Sequence, residues 1–190
     1  MANHLQNYIE TLKRVLERLD LKSAERLAGK LATAGKTGRF VFTTGNGGSA
    51  ATAAHAVCDF GKTIIGRGRR PGIKAVCLND NIPSLTAWSN DAAYKYIFSE
   101  QLKNLGGKAD LFLPISASGN SPNIIEGIKT AKKLGLETFG LLGFDGGAAR
   151  ALLDDYLLVP VNDYGLVEDI HMAVVHAITD RLKRDYADSQ

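Results

Sequence analysis

A small set of acidic and imidazole residues in this chain is spaced so that it could do chemistry. His55 and Asp59 lie four residues apart, which puts them on one face of a helix. Glu168, His171 and His176 lie in an otherwise apolar run containing Ile170, Met172, Ala173, Val174, Val175 and Ile178. A histidine and a carboxylate from each of two helices make a divalent-cation site, and imidazole ligands favour zinc. The alternative for any one of these histidines is an ordinary hydrogen-bonded helix residue. Three of the chain's four histidines, all but His4, nevertheless fall in these two segments. Geometry adds a constraint, because on a straight helix Glu168 and His176 stand ~12 Å apart along the axis. Either the chain is not yet helical at Glu168 or two subunits contribute, and an interfacial site is the expectation. His171 points away from His176 and reads as structural.

A second chemistry resides in two loops. Gly45-Asn46-Gly47-Gly48-Ser49-Ala50 follows the apolar run Phe40-Val41-Phe42 and precedes the helical stretch that carries His55 and Asp59. Its glycines permit close backbone approach, and the helix that follows aims free N–H groups at an anion. Ser49 is placed to cap that helix and to donate to a ligand. The loop is not a Walker sequence, since no Lys follows the glycines, and it lacks full dinucleotide spacing. Ser116-Ala117-Ser118-Gly119-Asn120-Ser121 repeats the design after Leu111-Phe112-Leu113-Pro114-Ile115. Pro122 follows, where a first helical turn tolerates proline. Three hydroxyls at one strand end suit a phosphate dianion; the plainer reading is that the serines only cap a helix.

The elements that must position these groups follow from periodicity. Helices are expected near 5–19 and 23–34, the second stopped by Gly35. Strand-like runs then fall near 39–44, 73–78, 110–115, 137–142 and 156–160. Helical segments near 48–64, 82–89, 94–104, 121–134 and 146–152 separate them, and a long helix near 166–185 follows. Such alternation predicts an α/β fold, a doubly wound five-stranded parallel sheet flanked by helices. The expectation is one domain over 1–190, with an N-terminal helical arm at 1–36 and an α/β core at 37–190.

Composition narrows the function classes. With 190 residues, 45% of them apolar, the chain can bury a proper core. A net charge of +3 with scattered Lys and Arg gives no basic stripe for nucleic acid. The cluster Arg67, Arg69 and Arg70 reads as a solvated loop, or as a place where one arginine helps hold an anion. Cys58 and Cys77 fit no ligand spacing and read as buried thiols in a reducing compartment. No signal peptide and no long apolar span are apparent, so a cytoplasmic location without membrane association is expected.

Taken together, these residues resemble the sugar isomerase (SIS) domain family, and within it the sedoheptulose 7-phosphate isomerases. The resemblance rests on Gly45-Asn46-Gly47-Gly48-Ser49, Ser89-Asn90-Asp91, Ser116-Ala117-Ser118-Gly119-Asn120-Ser121, Asp145-Gly146-Gly147 and the Glu168-to-His176 segment. It covers nearly the whole chain. It implies a homotetramer with active sites between subunits and substrate contacts from Asn46, Gly47, Gly48, Asn90, Asp91, Ser116, Ala117, Ser118 and Ser121. It also implies zinc ligation by His55, Asp59, Glu168 and His176. Three positions depart from the family pattern: Asp59 stands where Glu is usual, Glu168 where Gln is usual, and Gly165 where an Asp is usual, with Asp163 nearby.

The activity this implies is aldose–ketose isomerisation of a phosphorylated sugar through an enediol. Asp59 is the expected base, His176 the expected acid and Glu168 the reserve base; Glu168 also counts among the substrate contacts, with Ser49. The leading substrate is sedoheptulose 7-phosphate, converted to D-glycero-D-manno-heptose 7-phosphate. One alternative is isomerisation of another ketose phosphate. Another is a non-catalytic scaffold, like the subfamily member that associates with a replication initiator, or a phosphosugar-sensing regulator. Retention of His55 and His176 argues for the enzyme.

Overall fold

The computed structural model describes residues 3–65 and 71–187, with side chains through Asp185. Arg67, Arg69 and Arg70 lie outside the described residues. Two helices come first, α1 (His4–Glu17) and α2 (Leu21–Thr37). Each starts on a side-chain cap, Asn3 accepting from the Leu5 N–H and Asp20 from the Lys22 N–H. The expected stop at Gly35 is corrected. Helix α2 runs through it to Thr37 and ends at Gly38, whose φ of 70° lets its N–H fold back onto the Ala34 carbonyl.

The expected parallel sheet is present. Strands β1 (Phe40–Thr44), β2 (Lys74–Cys77), β3 (Leu111–Ser116), β4 (Glu137–Gly143) and β5 (Asp155–Val159) lie in the order β2-β1-β3-β4-β5, every pair parallel. Between them run α3 (Gly48–Gly61), α4 (Ile82–Asp91), α5 (Ser99–Leu105), α6 (Pro122–Leu134) and α7 (Gly147–Leu152), followed by α8 (Tyr164–Ala187). The single helix expected over 94–104 is a 3₁₀ turn at Tyr94–Tyr96 followed by α5.

Strand alternation sorts the core into two layers. Val41, Leu111, Leu113 and Ile115 face the layer built with Leu27 and Leu31 of α2, Ala53, Ala56 and Phe60 of α3, and Ile170, Val174 and Ile178 of α8. Phe42 and Phe112 face the other layer, with Leu102 of α5, Ile124 and Ile128 of α6 and Ala149 of α7. Along α8 the residues Leu166, Ile170, Val174, Ile178 and Leu182 recur every four positions and are all buried, so one stripe anchors the helix. This fixes where its polar neighbours point. Among the described residues no helix is long and apolar enough to cross a membrane.

Candidate active site

The strand order reverses between β1 and β3. β1 leads to α3 on one face of the sheet, and β3 leads to α6 on the other. A crevice therefore opens beyond the carboxyl ends of these two strands, where ligands bind in open α/β sheets. Both Gly/Ser-rich loops lie there. Together they form a cavity of about 90 Å³ lined by Asn46, Ser49, Ser116, Ala117, Ser118, Ser121, Tyr164 and Glu168. Seven of these eight are residues singled out by the sequence; Tyr164 is the addition. The N-cap positions of α3 and α6, Gly47 and Ser121, make no side-chain capping bond, so both helix starts stay open to an anion. The plain capping role for Ser121 is thus not what the structure holds, and Ser49 is the second residue of α3 rather than its cap.

The first loop is held from below by a residue that sequence reasoning passed over. Asn79, just past β2, accepts from the Gly45 N–H at 3.1 Å and donates to the Gly45 carbonyl at 2.9 Å. It also accepts from the Thr44 hydroxyl at 3.1 Å. A lone Asn after a strand carries no pattern, so its only signal was its place at the same sheet edge. In the second loop the Ser116 hydroxyl accepts from the Gly119 N–H at 3.1 Å.

Glu168 reaches into this cavity from the first turns of α8. Its carboxylate lies against Gly48, and a Cβ at that position would collide with it. A methyl group there would have to push aside the flexible end of the Glu168 side chain, so glycine is what lets that carboxylate lie against the start of α3. Asn90 and Asp91 are placed differently. They are exposed at the end of α4, Asn90 donating to Asp91 at 2.9 Å, and they do not line the cavity.

The ionisable cluster lies farther along the same two helices. His55 and Asp59 project from α3 and His176 from α8, with one ligand atom of each within 4.8 Å of the others. The two Nε2 atoms are 3.0 Å apart, and His55 Nε2 is 3.5 Å from Asp59 Oδ2. Asp59 is 6% exposed, and among the described residues its Oδ2 has no hydrogen-bond partner. One proton between two imidazole nitrogens cannot also satisfy that carboxylate oxygen. A cation bound by all three groups would, and two imidazoles with one carboxylate are a donor set that suits a divalent transition metal. The residues fit such an ion.

The expectation is an interfacial site; these three residues already come together within one chain. α8 is helical at Glu168. Glu168 stands outside the cluster, over Gly48. Because Glu168 meets Gly48 while His176 meets His55, α3 and α8 run side by side in the same direction.

His171 is buried alongside the apolar stripe of α8. Its Nε2–H donates to the Leu142 carbonyl at 3.1 Å, which leaves Nδ1 bare and, among the described residues, without a hydrogen-bond partner. Burial pushes this imidazole down to about 4. Its structural reading stands. Cys58 is corrected: it is exposed on α3, whereas Cys77 is buried as expected and burial pushes its thiol up. At Gly165 the missing side chain makes room for Tyr8 of α1, whose hydroxyl donates to Asp169 at 2.7 Å. That hydrogen bond, to a group that is an anion, pushes the phenol up to about 12.

Two open helix starts and a hydroxyl-lined cavity at a strand-order switch define a domain built to hold a phosphorylated ligand, and residues 5–143 match the SIS domain family. A phosphoheptose isomerase from Trichlorobacter lovleyi is 37% identical over 186 residues, which cover 97% of this chain and 92% of the relative. A phosphoheptose isomerase from a Bradyrhizobium strain is 36% identical over 186 residues, covering 96% and 92%. The solved phosphoheptose isomerase from Neisseria gonorrhoeae superposes with a TM-score of 0.86 at 29% identity, covering 95% of each chain. The chain belongs to the SIS domain family, and within it to the phosphoheptose isomerases.

Proposed function

We propose that this protein is an aldose–ketose isomerase converting sedoheptulose 7-phosphate to D-glycero-D-manno-heptose 7-phosphate. One observation carries the reading: an unpartnered carboxylate oxygen and two imidazoles converge beside an anion cradle on the same pair of helices. Gly48 and His55 are separated by about the same helical length as Glu168 and His176, about 11 Å. Phosphate at the cradle and carbonyl at the cluster therefore suit a long, extended ketose phosphate better than a triose phosphate. The similarity to phosphoheptose isomerases supports the same substrate.

In the proposed mechanism the phosphate is held by the loops of Gly47, Gly48 and Ser49 and of Ser116, Ala117, Ser118 and Ser121, so binding at one end positions the other. Asp59 removes a proton from C1. The C1–H electrons form the C1–C2 double bond, and the carbonyl oxygen takes a proton from His176, giving the enediol. Loss of the O1 proton then restores a carbonyl at C1 while C2 is protonated, which balances the exchange. His55, Asp59 and His176 would hold zinc, while Glu168 stays at the phosphate end of the cavity, against Gly48. Bound there, zinc would polarise the substrate carbonyl and stabilise negative charge on the enediol oxygens.

The assembly we propose is the homotetramer that the resemblance implies. Helix α1 buries no residue in the single chain and exposes Leu5, Ile9 and Leu16, an apolar stripe that neighbouring copies would cover. Asn90 and Asp91, exposed at the end of α4, are then available to close a site from the rim. A phosphate dianion does not cross a bilayer unaided, so we place the enzyme in the cytoplasm with its phosphorylated substrate.

Carbon NMR of the purified protein incubated with a panel of ketose phosphates tests the substrate. Appearance of the heptose 7-phosphate from sedoheptulose 7-phosphate is expected; turnover confined to a shorter sugar would contradict the length argument. Elemental analysis is expected to find about one zinc per chain, with chelation abolishing turnover and zinc restoring it. Full activity in metal-free protein would remove zinc from the account.

A further inference from the structure

Asn46 faces the cavity, but its side chain is already engaged. Its Nδ2 donates to Asn123 Oδ1 at 2.9 Å, and its Oδ1 accepts from Asn123 Nδ2 at 2.8 Å and from the Tyr94 hydroxyl at 3.1 Å. Asn123 is 1% exposed, and its Oδ1 also accepts from the Ile124 N–H at 3.0 Å. A backbone N–H can only donate, so it fixes which end of the Asn123 amide is oxygen. That leaves Asn123 Nδ2 as the donor toward Asn46, which in turn fixes Asn46 Oδ1 as the acceptor. Both lone pairs of Asn46 Oδ1 are then used, and one N–H remains.

We infer that Asn123 and Tyr94 are positioning residues, which lock the Asn46 amide so that it offers the cavity a hydrogen-bond donor and no acceptor. The same clasp ties the loop after β1 to the start of α6, setting the spacing of the two halves of the cradle. Asn46 thus presents a fixed N–H to an anion, and the acceptor oxygens of a phosphate group are the ligand chemistry that rewards it. The inference rests on reading the cavity as a phosphate site.

A double-mutant cycle on the full-length protein tests it, with inorganic phosphate as the probe and calorimetry as the readout. Asn46→Ala and Asn123→Ala are each expected to weaken phosphate binding about tenfold. The double variant is expected to be no weaker than Asn46→Ala alone, because Asn123 acts through Asn46. In ¹⁵N-labelled wild-type protein the Asn46 side-chain amide resonances should shift on adding phosphate, and in Asn123→Ala they should not. Tyr94→Phe, at an exposed position that does not threaten folding, should weaken binding severalfold. Additive losses, or unchanged phosphate affinity in Tyr94→Phe, would overturn the clasp while leaving the cavity assignment standing. No phosphate binding by the wild-type protein would overturn both, and an intact cycle with no sugar isomerisation would sink the isomerase reading alone.

Discussion

The two ends of the parallel sheet make an instructive pair. At the amino ends of the strands lies a cavity of about 600 Å³ lined by Arg26, Lys30, Arg39, Glu137 and Asp155 among others. It is far larger than the 90 Å³ cavity at the carboxyl ends, yet its charges are spent on each other. Arg26 makes two hydrogen bonds to Asp155 at 2.7 and 2.9 Å, and Lys30 and Arg39 both pair with Glu137. At the carboxyl ends the helix starts lack side-chain caps, and among the described residues Asp59 Oδ2 is buried without a hydrogen-bond partner. Unsatisfied polar groups, and not volume, mark the end that does chemistry. A paired charge is already neutralised, whereas an unpaired buried one carries a cost that a ligand can relieve.

The contrast breaks most sharply at Asp59 and His176. Asp59→Asn and His176→Gln are each expected to lower turnover about a thousandfold while assembly by light scattering is retained. Near-normal turnover in either variant would withdraw its role. A smaller loss is expected from Gly48→Ala, whose methyl group must displace the flexible Glu168 carboxylate. Roughly a tenfold to hundredfold fall in kcat/KM with little change in Tm is predicted, from misplacement of the cradle. Loss of Tm without loss of kcat/KM would mean that Gly48 serves packing only.

Stability should separate from activity at His171. Its imidazole is held down at about 4 in the folded chain by burial and returns to about 6.5 on unfolding. The unfolded chain therefore binds the extra proton between those values. Neutral His171 costs nothing above pH 6.5, and stability falls by about 1.4 kcal/mol per pH unit as the pH drops toward 4. Denaturant titrations across this window should lose that slope in His171→Leu. Least of all should change at the far end of the sheet. Arg26 holds the Asp155 carboxyl below its usual range, but the pair is substantially exposed. Arg26→Ala is predicted to leave Tm nearly unchanged and turnover within about twofold of wild type.

Much of this was legible in the chain because it rests on local pattern. Alternation of strand-like and helical runs set the sheet and its helices, and glycine and serine after strands marked both loops. What escaped depended on long-range packing. Gly35 and Gly38 are equally plausible stops until a positive φ is required. Cys58 sits among apolar neighbours in sequence but on the outward face of α3. Glu168 and His176 looked incompatible with a single-chain cluster because both were assigned to one ion, whereas parallel packing of α3 and α8 gives each its own partner. Asn79 and Asn123 had no motif at all, since an amide that orients a neighbour is recognisable only by what it touches.

Deuterium incorporation from heavy water into sedoheptulose 7-phosphate, followed by NMR for the wild-type protein and for Asp59→Asn, tests the central claim most directly. Exchange at C1 of the ketose in the wild type, abolished in Asp59→Asn while phosphate still binds, is the result predicted. Equal exchange in both proteins, or none in a wild-type protein that binds the sugar phosphate, would contradict the account.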